Sequence, residues 1–153
     1  MKIIFTILSL VIVLRTSAQV PMKKYSPCYF SVSLPKTFKL KKEDDAGCDY
    51  IASFNGRNYI TLHSLESGRF MFTDIQQLYD TALKVENMNI VYKTIGKNWF
   101  VLSGTDPKTG EYIYWKRLVT ENFVSDITFK YPASRKQEIE PYISAIVRSF
   151  TSQ

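Results

Sequence analysis

Histidine is almost missing from this chain: His63 is the only one in 153 residues, and cysteine is limited to Cys28 and Cys48. One imidazole rules out zinc sites built on several histidines, and the sequence shows no carboxylate cluster that could complete a site around His63. Glycine is scarce too, at six residues, and no phosphate loop or dinucleotide fingerprint occurs. Ser103 lacks the glycine-flanked pattern of a nucleophile elbow. Glu43, Asp44 and Asp45 lack the alternating oxygen ligands and distal glutamate of a calcium loop, and read as a solvated turn beside Lys41 and Lys42. The expectation is therefore no catalytic residue, no metal and no cofactor. Triads assemble in space, so an enzyme stays open as a third reading, and His63 reads as an ordinary sheet or surface residue.

Long apolar runs are also missing, apart from one at the start. Lys2 precedes the twelve residues Ile3 to Leu14, broken only by Thr6 and Ser9, and Arg15 stops the run well short of a membrane span. Thr16-Ser17-Ala18 places small residues where a signal peptidase cuts. Residues 1–18 thus read as a signal peptide and 19–153 as one domain, exported to a periplasm or secreted, with no membrane span after cleavage. Lys2 and Arg15 leave with the signal, so the 20 basic residues become eighteen against 14 acidic, a net charge of +4. That excess suits solubility and a mild preference for acidic partners. It is not the concentrated basic face of a nucleic-acid binder.

In an oxidising compartment Cys28 and Cys48 read as one disulfide, since neither C-x-x-C spacing nor a histidine cluster supports a redox or metal pair. Closing a loop of about 21 residues would stabilise the fold by roughly 3 kcal/mol on the chain-entropy account.

Along the chain, residues 19–27 are an extended leader, with Pro21 and Pro27 against any helix. Strands are expected over 29–34 and 38–42; Lys36, Lys39, Lys41 and Lys42 read as an edge segment that keeps other strands away, with a docking patch for an acidic partner as the alternative. Residues 49–54 and 58–64 flank Asn55-Gly56-Arg57 as a hairpin. Thr73 with Gln76 predicts a capped helix whose apolar stripe runs through Ile75, Leu78, Tyr79, Ala82 and Leu83 towards a stop at Asn87. A meander of strands over 89–94, 98–105, 111–120 and 123–131 follows. Trp99 to Leu102 is apolar on both faces, so this part of the sheet should be covered on both sides. Ser103 and Gly104 after it leave room for a close neighbour. The last helix carries the stripe Ile139, Tyr142, Ile143, Ile146, Val147 and Phe150. Ser134 is its expected cap, and Pro141 the expected start of its main part.

Tyr112, Tyr114 and Trp115 crowd one strand with Lys116 and Arg117. Tyrosine, tryptophan and arginine carry much of the energy at protein interfaces, which makes Tyr112, Tyr114 and Arg117 a candidate interaction surface. Core packing explains the aromatics as well.

The stretch Asn98-Trp99-Phe100-Val101-Leu102-Ser103-Gly104, the strand Tyr112-Ile113-Tyr114-Trp115-Lys116, the segment Phe129-Lys130-Tyr131-Pro132 and the end Ile146-Val147-Arg148-Ser149-Phe150 together resemble the PsbP-like superfamily, including its bacterial DcrB-type envelope relatives. With Phe30 to Phe38 as opening strand, the resemblance spans most of the mature chain. It implies an α/β/α sandwich around a mostly antiparallel sheet with two principal helices, an α+β single domain in agreement with the strand pattern. It also implies a non-catalytic accessory or binding role, and supplies no catalytic motif. The leading expectation is an exported protein that binds an unidentified protein, as accessory subunit or inhibitor. The alternative is a small-ligand binder with a pocket between sheet and helix lined by Trp99, Trp115 and Tyr142.

Overall fold

The computed structural model describes residues 20–43, 45, 47–66, 74–85 and 87–153. In chain order these form β1 (Met22–Tyr25), β2 (Phe30–Pro35), β3 (Lys39–Lys42), β4 (Tyr50–Phe54), β5 (Arg57–Glu66), α1 (Ile75–Val85), β6 (Asn89–Ile95), β7 (Trp99–Thr105), β8 (Tyr112–Val119), β9 (Phe123–Tyr131), α2 (Lys136–Ser149) and β10 (Thr151–Ser152). The expected signal peptide lies outside the described residues. Among those described, no helix is long and apolar enough to cross a membrane.

Seven strands pair antiparallel in the order β3-β4-β5-β9-β8-β7-β6. The β4–β5 hairpin closes because Asn55 and Gly56 take φ of 50° and 75°, the left-handed pair that a two-residue turn requires and that these two residue types tolerate. β2 is the centre of a smaller antiparallel sheet between β1 and β10. The extended leader is thus more than a leader, because residues 22–25 pair with β2. β10 was equally hidden in the sequence, since two residues give no alternation to read.

Side-chain alternation divides the apolar residues between two cores. On one side of the large sheet, Phe30, Val32 and Leu34 of β2 and Ile139, Ile146 and Val147 of α2 pack against Ile60, Leu62, Ile127 and Phe129, nearly all without solvent exposure. On the other, Tyr79 and Ala82 of α1 pack on Phe100, Leu102 and Trp115. The fold is therefore α+β, with α2 and the small sheet over one face and α1 over part of the other. β7 is the strand covered on both sides, as Trp99 to Leu102 foretold: Trp99 joins the first core, while Phe100 and Leu102 join the second.

Gly104 is where β6 comes close. A Cβ there would lie 2.0 Å from the carbonyl oxygen of Asn89 and 3.0 Å from Cα of Ile90, both rigid backbone. Gly104→Ala is accordingly expected to cost about 1–3 kcal/mol, the usual range for forcing atoms into a packed site. Urea unfolding measures the loss, and faster amide exchange confined to the start of β6 would locate it.

Both helices begin differently from the sequence reading. Thr73 lies outside the described residues, and Asp74 does the capping, its Oδ1 accepting from the Gln76 amide at 2.9 Å. Ser134 does not cap α2. It sits inside a short 3-10 turn, Ala133–Arg135, and α2 starts at Lys136 without a side-chain cap. Pro141 lies within α2 and does not start it. The position is early enough that proline removes one hydrogen bond, to the carbonyl of Gln137, while burial of Ile139, Ile146 and Val147 carries the helix through.

Candidate binding face on the open side of the sheet

α1 packs on β7 and part of β8, and among the described residues no helix covers the same face over β4, β5 and β9. The strand register builds a row there. Asp126 of β9 is paired with His63 of β5 on one side and with Arg117 of β8 on the other, and Arg117 is paired with Phe100 of β7. Asp49, just before β4, hydrogen-bonds through Oδ1 to His63 Nδ1. Acid, imidazole, acid and guanidinium thus alternate across four neighbouring strand positions.

Asp126 anchors the row. Its Oδ1 accepts from Trp115 Nε1 at 3.1 Å and Arg117 Nε at 2.8 Å, and its Oδ2 accepts from Arg117 Nη2 at 2.7 Å. The guanidinium also lies 4.8 Å from the Trp115 ring centroid and 5.8 Å from that of Phe100. Phe100 meets Trp115 edge to face, so the second core and the polar row share one wall. Such a fork-and-stack arrangement suits arginine and would not tolerate lysine.

A concavity of about 320 Å³ lies on this face, lined among others by Thr61, His63, Met88, Ile113, Trp115 and Thr128. At its margin Lys130 bonds Asp106 Oδ2 at 2.8 Å and reaches Glu111 at 3.3 Å. That bond and the amides of Lys108 and Thr109 hold the Asp106 carboxyl well below the usual carboxylate range. The charges of the face are therefore mostly matched within the protein. Among the described residues, the polar groups of this concavity without a side-chain partner are the hydroxyls of Thr61 and Thr128 and the outer nitrogen of His63, beside apolar surface. No hydrogen bond joins either threonine to His63 among the described residues, so the Asp49–His63 pair has no nucleophile in contact. No group of three or more potential metal-ligating side chains occurs among the described residues either.

The sequence-predicted positions fall on both sides of the sheet. Tyr112 and Tyr114 face the first core, where Tyr112 stacks on Tyr131 and Tyr114 meets Phe129 edge to face. Burial first, and then Glu140, pushes the Tyr131 phenol up to about 12. Arg117 belongs to the opposite face, so the three do not share one surface. The expected pocket residues separate likewise: Trp99 and Tyr142 pack on the first core and Trp115 in the second. Cys28 and Cys48 sit at disulfide distance, with Cα atoms 6.1 Å apart. His63 and Asp126 were not selected from the sequence. The wet side of β9 was visible there, but their pairing depends on the register with β5.

A scan of protein families and a search of characterised proteins both find no match for this chain. Its architecture is nevertheless a known one. The fold is PsbP-like: the solution structure of cyanobacterial PsbP (CyanoP) from Synechocystis sp. PCC 6803 aligns over 90% of this chain and 96% of its own, with a TM-score of 0.56 at 10% identity. That likeness is one of fold.

Proposed function

We propose that this chain is an exported, non-catalytic accessory protein, in the manner of DcrB-type envelope relatives, that binds another protein through the open half of its sheet. One observation carries the reading: a hydrogen-bonded polar row, held by Asp126 between Trp115 and Arg117, lies on a sheet face that α1 leaves uncovered. The fold likeness to PsbP supports an accessory role, and the leader together with the Cys28–Cys48 pair supports export to an oxidising compartment. Of the three positions singled out in the sequence, Arg117 belongs to this surface.

Thr61 is exposed on β5 beside the row. Placing a bulky charge there should block docking without touching either core. Crosslinking in native envelope or secreted fractions, followed by capture, is expected to recover a specific protein with the parent chain. Thr61→Arg is expected to lose at least about nine-tenths of it, as an interface-centre clash would. Repeated recovery of nothing specific, or equal recovery by Thr61→Arg, would overturn the reading.

The concavity beside His63 favours a small ligand as second reading. Native mass spectrometry of the chain purified from its own compartment would then show a bound small molecule that Thr61→Arg releases.

A further inference from the structure

The two edges of the large sheet are finished differently. β3 presents Lys39, Lys41 and Lys42 in a strand of four residues, a charge density that keeps other strands away. β6, the opposite edge, carries one lysine in seven residues. Among the described residues four large apolar side chains are exposed, and three lie on this strand: Val91 at 81%, Tyr92 at 55% and Ile95 at 36%.

Among the described residues, no strand pairs with the outer side of β6. Gly96 donates its amide to the Trp99 carbonyl at 2.7 Å, which makes these two a hydrogen-bonded pair of the β6–β7 ladder. Antiparallel pairs alternate, so Ile95 and Lys93, opposite Phe100 and Leu102, turn their amides and carbonyls outward. A bulge between Ile90 and Tyr92 ends the regular ladder, leaving Tyr92–Ile95 as the clean edge. Lys93 on this edge and Lys97 in the turn after it are exposed and have no carboxylate partner among the described residues.

We propose that β6 is a strand-addition edge that takes an extended, acidic segment of a partner protein. The incoming strand would pair with the outward amides and carbonyls of Lys93 and Ile95, cover Val91 and Tyr92 with alternate side chains, and place carboxylates against Lys93 and Lys97. Charge decides between this occupant and a second copy. Self-pairing along β6 would bring both chains' unmatched lysines together in a protein that keeps a net positive charge after loss of its leader, whereas an acidic strand meets complementary charge. The edge is separate from the open face, so either can fail alone.

The test uses the full chain and a short fluorescent peptide of alternating valine and glutamate, with a valine–lysine peptide as comparison. Anisotropy is expected to show saturable binding of the acidic peptide and about tenfold or weaker binding of the basic one. Lys93→Pro removes an outward amide without breaking the β6–β7 ladder, and is expected to abolish binding. Lys93→Glu keeps the backbone and is expected to weaken it about tenfold through charge alone. Circular dichroism confirms that both variants are folded. The proposal falls if neither peptide binds, if both bind equally, or if Lys93→Glu binds like the parent. Sedimentation that finds a dimer dispersed by Lys93→Pro would assign the edge to a second copy instead.

Discussion

An Asp126→Ala variant is expected to unfold about 3–5 kcal/mol more readily than the parent, the usual loss when one partner of a desolvated ion pair is removed. The side chains of Arg117 and Asp126 are only 23% and 13% exposed, so water can replace the carboxylate only in part. Three donors lose their acceptor at once: both guanidinium bonds and the Trp115 indole. Deleting the charge from both sides should hurt far less. In Arg117→Met/Asp126→Leu, apolar side chains of similar length fill the same space; that exchange is often near neutral for buried pairs, leaving the Trp115 indole donor without its acceptor as the main residual cost, about 1–3 kcal/mol. Urea unfolding of the two single variants and the double closes the cycle. A single-variant loss below about 1 kcal/mol would mean that the pair behaves as a surface salt bridge. The row would then be too loosely held to present a binding face.

The same row shows how far the sequence could be read. Strand positions in the large sheet are legible to within a residue or two because period-two alternation runs through 123–131 and 99–105, and because Asn55-Gly56 fixes a turn. The double coverage of β7 followed from Trp99 to Leu102 alone. What failed were decisions made by competition or by register. Asp74 and Thr73 are adjacent candidates for the same cap. Pro141 costs one hydrogen bond against three buried apolar side chains. Tyr112, Tyr114 and Arg117 look like one cluster along the chain, yet alternation sends Arg117 to the opposite face from the tyrosines. His63 and Asp126 lie 63 positions apart in the sequence and no local pattern links them; only the β5–β9 register makes them neighbours. A site assembled across four strands leaves no motif.

Loss of the bridge between Cys28 and Cys48 is expected to cost roughly 3 kcal/mol, the chain-entropy value for a loop of this length. The sequence separation is 20 residues, and the loop holds β2 and β3, so the crosslink ties the small sheet to the strand β4 of the large one. Cys48 directly precedes Asp49, whose carboxylate holds His63. Opening the bridge should therefore loosen one end of the polar row as well as lower global stability. Cys28→Ser/Cys48→Ser, compared with the parent under urea with and without reductant, separates the two effects. The double variant and the reduced parent should unfold at the same lower midpoint, and histidine NMR should show His63 in altered surroundings in both. If the parent purified from its own compartment without reductant carries two free thiols, or if reduction leaves the midpoint unchanged, the bridge contributes nothing. Only the leader would then support an oxidising compartment.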